Sequence, residues 1–135
     1  MAKDFKTPLP TNALETARVA RLATVGGKIP HLVPVVFVHL DGILWIPVDG
    51  KPKRHFHLKR LRNIRNNPRV CLLIDHYEDN WQALWWVRID ARATIVDDNA
   101  AATRALVEKY APYKYISIHS LIRADIEKTS YWGTS

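Results

Sequence analysis

The chain has 135 residues, 47% of them hydrophobic and 24% charged, which is typical of one soluble globular domain spanning residues 1–135. Its single cysteine, Cys71, excludes an intrachain disulfide framework, and no run reaches the roughly 18 consecutive apolar residues of a membrane-spanning helix. We therefore expect a cytoplasmic protein without a membrane partner. The net charge of +7 is local, because residues 51–69 hold eight of the twenty Lys and Arg residues and no acid.

The first half of the chain predicts a short helix followed by three strands. Thr11 or Asn12 can cap the helix, and the Gly26-Gly27 and Asp41-Gly42 pairs are turn signals between strands. Pro34 and Pro47 lack an N–H, so each predicts a sheet edge or bulge, or backbone groups that face a ligand. The predicted elements are a helix to residue 17 and strands over 18–25, 32–40 and 43–48, the second of these buried on both faces.

A helix is predicted over residues 56–66, where Leu58, Leu61 and Ile64 form an apolar stripe. The basic residues of this helix are expected to lie off the stripe: Lys59, Arg60, Arg62 and Arg65.

The second half predicts further strands around one more helix. Residues 70–75 indicate a buried strand, and 83–96 a long strand with Val87, Ile89, Ala91, Ala93 and Ile95 on one face. A helix capped by Asp97 or Asp98 is predicted to run to Tyr110, and residues 115–132 predict one or two final strands. Hairpin-connected strands with short helices at the joins favour a small closed barrel, a mainly β fold.

The basic segment 51–69 has three interpretations. It can be a solvated helix face, although exposed helices usually pair opposite charges four residues apart and this segment has no acid. It can neutralise nucleic-acid phosphates. It can also hold the phosphate of a cofactor, which needs only two or three of its basic residues. Composition leaves the last two interpretations open.

Motifs for metal or hydrolytic chemistry are weak. His55, His57, Asp75 and His76 match no established metal spacing, so we expect no metal site. The chain has no G-x-S-x-G, P-loop or G-x-G-x-x-G motif, and Cys71 lies among apolar residues of a predicted strand. A conventional hydrolase or nucleotide kinase is not expected.

Several consecutive segments carry a family resemblance: RVARLATV, PHLVPVVFV, LWIPVDGKPKR, LRNIRNNPRVCLLIDHY and LWWVRIDARATIV. These segments lie between residues 18 and 96, and together they resemble the pyridoxamine 5′-phosphate oxidase-like split-barrel flavoproteins. Within that family the chain looks most like the small single-domain branch of oxidoreductases that use the deazaflavin coenzyme F420.

The resemblance implies a six-stranded split β-barrel that forms a homodimer with cofactors at the subunit interface. It implies that the cofactor ring lies against the second and third strands, that basic residues bind the phosphate, and that Trp86 reaches the ring edge. The implied ring contacts are Val33, Pro34, Val35, Val36, Ile46, Pro47 and Val48. The implied phosphate contacts are Lys51, Lys53, Lys59 and Arg60.

The function that the resemblance implies is hydride transfer between F420, or alternatively FMN, and an unsaturated small molecule. His76 and Tyr77 are candidate proton donors. The chain departs from the oxidases that make pyridoxal phosphate, because it carries apolar residues over 33–38 and Ile46-Pro47 where those enzymes carry polar ones, so vitamin B6 oxidation is not expected. The alternatives are a protein that stores a flavin or haem without turnover and, least favoured, a nucleic-acid-binding barrel.

Overall fold

The computed structural model describes residues 12–49 and 55–133, and the side chains of 12–49 and 59–133. The helices are α1 (Ala13–Thr16), α2 (His55–Asn66) and α3 (Ala100–Lys109), with 3₁₀ turns at Trp81–Ala83 and Ala111–Lys114. The strands are β1 (Ala20–Thr24), β2 (His31–Val35), β3 (Val38–Leu40), β4 (Ile43–Asp49), β5 (Arg69–His76), β6 (Trp85–Val96) and β7 (Ile118–Gly133). None of the helices within these residues is long and apolar enough to cross a membrane.

The strands form one antiparallel sheet in the order β2-β1-β5-β6-β7-β4-β3. The two end strands of this order, β2 and β3, are consecutive in the chain, so the sheet curls back on itself around a core. This confirms the predicted mainly β barrel of the split type. The strand count differs from the predicted six, because the predicted strand over 32–40 divides into β2 and β3 at Val36-Phe37.

The division at Val36-Phe37 is held by side chains. The Phe37 N–H donates to the Tyr110 hydroxyl at 3.2 Å, and that hydroxyl lies 3.0 Å from the carbonyl oxygens of both Phe37 and Arg18. Lys109 Nζ donates to the same Phe37 carbonyl at 3.0 Å. Long side chains from the end of α3 therefore satisfy backbone groups that a continuous strand would have paired.

Alternating burial divides the apolar residues between two cores. The barrel interior contains the larger cluster, including Leu22, Leu44, Leu72 and Ile89. The smaller cluster lies outside the barrel under α3, where Leu106 packs on Trp45 and Leu121. The predicted division of β6 into an apolar and a polar face is confirmed, with Val87, Ile89, Ala91 and Ala93 buried.

Three predicted details were wrong. The strand over 32–40 is not buried on both faces, since Leu32 is 67% exposed on the outside of an edge strand. The strand over 70–75 is likewise half-buried, with Leu73 facing outward and 37% exposed. The cap of α3 is Asn99 rather than Asp97 or Asp98, because the Asn99 side chain accepts from the Ala102 N–H at 3.0 Å.

The turn of the β3–β4 hairpin has the conformation that the Asp41-Gly42 pair predicts. Asp41 has φ 53° and Gly42 has φ 77°, the pair of positive values that a type I′ turn requires. This turn fixes the register that places Val38 opposite Trp45.

Candidate functional site

The barrel is split between β2 and the second half of β4. Strand β2 pairs with β1 alone, and β3 pairs only with Ile43–Trp45 of β4, so Ile46–Asp49 has a partner, β7, on one side only. Pro34 lies on the first of these edges and Pro47 on the second, which confirms the predicted edge positions. On both edges, the backbone N–H and C=O groups on the side away from the sheet have no partner strand among the described residues. They are therefore available to a ligand in the split.

The predicted ring contacts lie along these two edges. Val35 is buried in the barrel interior, as are Ile46 and Val48, while Pro34 is exposed and Val33 and Val36 are half-buried. Pro47 is buried on the opposite face of β4, beside Leu121 of β7. Since Ile46 and Val48 point inward, these residues can offer a ligand in the split mainly their backbone groups.

Helix α2 packs closely on the turn after β1. The Asn63 side chain donates to the Thr24 hydroxyl at 3.0 Å, and both groups are buried. Gly26 touches the helix backbone directly, because a Cβ at that position would lie 2.2 Å from the Asn63 Cα. The absence of a side chain at Gly26 therefore sets the position of α2.

Arg60 lies one helical turn before Asn63 on α2. It is only 8% exposed although it lies off the apolar stripe of α2, so a fully solvated face is not the right interpretation for this residue. Its Nε is buried without a hydrogen-bond partner among the residues that the structure describes. Burial lowers the pKa of the guanidinium, and Asp49 at the end of β4 partly opposes that shift. A buried cation without a paired anion is costly, so an anionic group beside Arg60 would offset that cost.

His31 brings a second unsatisfied nitrogen to this region. It begins β2 directly opposite Thr24, and its Nδ1 is buried without a partner within the described part of the chain. Burial lowers its pKa, and the positive charges of Arg60 and Lys59 lower it further. We call His31, Asp49, Lys59 and Arg60 the basic corner. Sequence reasoning assigned no function to His31, because only the folded β1–β2 register brings it to α2.

Asp49 is held in the basic corner by a neighbouring tyrosine. The Tyr113 hydroxyl donates to Asp49 Oδ1 at 3.1 Å, and burial together with this carboxylate raises the pKa of Tyr113. Asp49 forms no ion pair with Arg60. Lys59 is exposed at the corner, whereas the predicted phosphate contacts Lys51 and Lys53 lie outside the described residues.

Trp86 lies away from the corner, on the outer face of the sheet. It is half-buried and stands opposite Asp75 of β5 and Trp132 of β7. The candidate proton donors are the last residue of β5, His76, and the first residue of the following loop, Tyr77. His76 Nε2 lies 2.5 Å from Glu78 Oε2, and the His76 ring stacks on Trp85. Tyr77 is 66% exposed and receives a hydrogen bond from Trp81 Nε1 at 3.4 Å. The loop therefore carries an ordered aromatic surface.

No metal-binding site is visible within residues 12–49 and 55–133. No three His, Cys, Asp or Glu side chains there lie close enough to hold a metal ion. Among the histidines considered for a metal site in the sequence, His76 is paired with Glu78. The side chains of His55 and His57 lie outside the described residues.

Solved structures share this fold at low sequence identity. A conserved hypothetical protein of Mycobacterium tuberculosis superposes with a TM-score of 0.76 at 21% identity, covering 99% of this chain and 91% of its own. A FAD-binding protein of Mesorhizobium loti gives 0.66 at 22% identity, covering 90% and 89%. The heme storage protein HutZ of Vibrio cholerae gives 0.67 at 18% identity, covering 87% of each chain.

The sequence itself identifies the family. No curated protein matches the chain significantly. A family model described as pyridoxamine 5′-phosphate oxidase matches residues 11–133, nearly the whole chain. The chain therefore belongs to the pyridoxamine 5′-phosphate oxidase family.

Proposed function

We propose that the protein is an oxidoreductase that binds a flavin-type cofactor in the split of the barrel, with the cofactor phosphate in the basic corner. The observation that carries the proposal is Arg60, a residue 8% exposed whose Nε is buried without a partner within the described residues. A phosphate offers the acceptor oxygens that this group lacks. Family membership supports the same cofactor class, as do the structural relatives described as FAD-binding and as heme storage proteins, since both names refer to flat cofactors.

The parts of the basic corner suit a phosphate monoester. Arg60 and Lys59 approach from α2, and His31 approaches from the start of β2. Asp49 is the carboxylate that acts on Arg60 among the described residues, and its hydrogen bond from Tyr113 occupies part of its acceptor capacity. Lys51 and Lys53 precede α2 in the sequence and are proposed to complete the phosphate site.

The ring is proposed to lie in the split, against the backbone of Val33–Val36 and Ile46–Val48, with Trp86 of a second subunit or of the same one at its edge. Tricyclic rings of this class expose carbonyl and N–H groups along one side, and the unpaired strand edges offer matching donors and acceptors. The cofactor, when bound, supplies hydride chemistry. The chain contributes position, exclusion of water and, from His76 or Tyr77, a proton.

The protein is proposed to act as a homodimer through the outer face of β2, β1, β5 and β6. This face exposes Leu32, Val25 and Leu73 beside two ion pairs, Arg21–Asp75 at 3.4 Å and Arg88–Asp90 at 3.2 Å. A surface that carries apolar residues and charges of both signs can pair with a second copy of itself, as a two-fold interface requires. A small-molecule substrate would then reach the ring between the subunits.

Of the two candidate cofactors we place F420 first and FMN second. FMN ends at its phosphate, whereas F420 continues beyond its phosphate into a tail of glutamates. Arg62 and Arg65 are exposed on α2 beyond the basic corner and have no ion-pair partner among the described residues. This basic surface supports a cofactor whose negative charge extends past the phosphate.

The deciding experiment titrates the purified protein with FMN and with F420 while tryptophan fluorescence is recorded, in wild type and in the Arg60→Ala and Arg104→Ala variants. We expect saturable quenching by F420, weakened by Arg60→Ala by an amount on the order of 1.5–3 kcal/mol. Arg104→Ala, on the exposed side of α3, should leave binding unchanged. Quenching by FMN alone would shift the proposal to a flavin oxidoreductase.

Two other outcomes separate the remaining functions. Tight binding without reduction of any unsaturated acceptor would favour a storage protein. Absence of binding by either cofactor, with salt-sensitive binding of a single-stranded oligonucleotide, would overturn the proposal in favour of a nucleic-acid surface.

A further inference from the structure

Lys109, the last residue of α3, places its amine in an unusual environment outside the basic corner. Nζ donates to the Phe37 carbonyl at 3.0 Å and lies 4.2 Å from the centroid of the Phe37 ring and 5.3 Å from that of Tyr110. It forms no ion pair with any carboxylate of the described residues. The amine is thus held by one backbone carbonyl and two aromatic rings.

The charged groups around Lys109 do not compensate its charge. Glu15 of α1 is engaged by His39 Nδ1 of β3 at 2.9 Å, and Glu108 of α3 is exposed to solvent. Arg18, just before β1, stacks 4.7 Å from the centroid of the Tyr110 ring and adds a second positive charge. Burial and this Arg18 charge lower the pKa of Lys109 to about 8, against the weaker opposing effect of Glu15. A large share of the amine is therefore uncharged just above neutral pH.

An open cavity of about 270 Å³ adjoins the amine, between α1, β3 and α3. Lys109 forms part of its wall together with Glu15, His39, Leu40 and Glu108. The cavity is large enough for a short acyl group and open to solvent, and Lys109 is only half-buried, so a small reagent can enter the space that this side chain lines. A desolvated lysine beside such a space has the properties of a nucleophile.

We propose that Lys109 is a site of covalent acylation, whose Nζ accepts a short acyl group from an activated acyl donor such as an acyl phosphate. The neutral amine attacks the carbonyl carbon, a C–N bond forms, and the C–O bond to the phosphate breaks. The bonding electron pair leaves with the phosphate, and the amine proton passes to water.

The product is compatible with the contacts of the site. The amide keeps an N–H that can donate to the Phe37 carbonyl, while it removes a buried positive charge next to Arg18. The acyl group would occupy the cavity beside Leu40. Acylation is therefore compatible with the folded barrel and leaves the basic corner untouched.

The test exposes the whole protein to acetyl phosphate at pH 7.5 and quantifies acetylation of each lysine by peptide mass spectrometry. Lys114 and Lys128 serve as internal controls, since both are exposed. At pH 7.5 about a quarter of amines with a pKa near 8 are neutral, against about one in a thousand for an ordinary lysine. After allowance for partial burial and lower basicity, Lys109 should react about tenfold faster than the controls.

A second measurement separates basicity from accessibility. Arg18→Gln should slow acetylation of Lys109 several-fold at pH 7.5 without changing Lys128, and the wild-type rate at Lys109 should rise through a midpoint near pH 8. Acetylation of Lys109 no faster than that of Lys114 and Lys128, or a rate that stays low up to pH 10, would overturn the proposal.

Discussion

Gly26 and Asn63 are in direct backbone contact, at a distance that no side chain at position 26 would allow. A Cβ there would lie 2.2 Å from the Asn63 Cα and 2.5 Å from its carbonyl oxygen. The adjoining hydrogen bond from Asn63 to Thr24 is buried, so α2 cannot move without exposing or breaking it. The position of Arg60, one turn earlier on the same helix, therefore depends on the glycine at position 26.

Replacement of Gly26 by Ala should displace α2 and damage the basic corner. We expect the free energy of unfolding to fall by about 1–3 kcal/mol, the usual cost of a forced steric overlap, and cofactor affinity to fall with it. Gly27→Ala is the matched control, because a Cβ at Gly27 would have nothing within 4 Å, and this variant should stay within about 0.5 kcal/mol of wild type. Urea unfolding of both variants measures the difference. A Gly26→Ala protein as stable as Gly27→Ala would show that the helix relaxes freely.

Replacement of Arg60 by Met should separate stability from binding. Removal of a buried, uncompensated guanidinium should leave the unliganded protein as stable as wild type or more stable. Affinity for a phosphorylated cofactor should fall about 10- to 100-fold, the loss of one charge-assisted hydrogen bond. Arg104→Met on α3 should change neither quantity. A large loss of stability in Arg60→Met would instead indicate that Arg60 serves the fold.

The barrel was predictable because local signals agree with its tertiary structure. The Asp41-Gly42 turn, the alternation of β6 and the two edge prolines each specify local geometry that the closed sheet retains. Leu32 and Leu73 were misjudged for a different reason. Each belongs to an apolar run, and sequence does not distinguish a residue that faces the core from one that faces a second surface on the outside.

The basic corner was only partly predictable. The family resemblance implied Lys59 and Arg60 as phosphate contacts, and periodicity placed Arg60 off the apolar stripe, but neither predicted that Arg60 is buried. His31 carried no signal of its own, since its relation to Arg60 depends on the register that sets it opposite Thr24. Long-range contacts of this kind decide burial, and no local pattern records them.

The proposed dimer predicts a specific effect of charge on the outer face. Leu32→Lys should dissociate the dimer or weaken it at least about tenfold, because a self-complementary interface buries each substitution twice. Ile116→Lys, at an exposed site before β7, is the control. Sedimentation velocity across a dilution series measures both. A Leu32→Lys protein that stays dimeric at wild-type concentrations would place the interface elsewhere.

The depressed pKa of Lys109 predicts a pH dependence of stability with a definite sign. The folded protein releases the Lys109 proton near pH 8, whereas an unfolded lysine keeps its proton to about pH 10.4. Between these values the unfolded chain binds more protons, so the Lys109 contribution to the free energy of unfolding rises with pH, and below pH 8 the buried ammonium lowers stability most. Lys109→Met removes this titration, so its free energy of unfolding should exceed that of wild type at pH 7. This difference should disappear by pH 10. Urea unfolding at both pH values, with Lys114→Met as the exposed control, tests the sign. Parallel pH profiles for wild type and Lys109→Met would mean that the Lys109 amine titrates alike in the folded and unfolded chains.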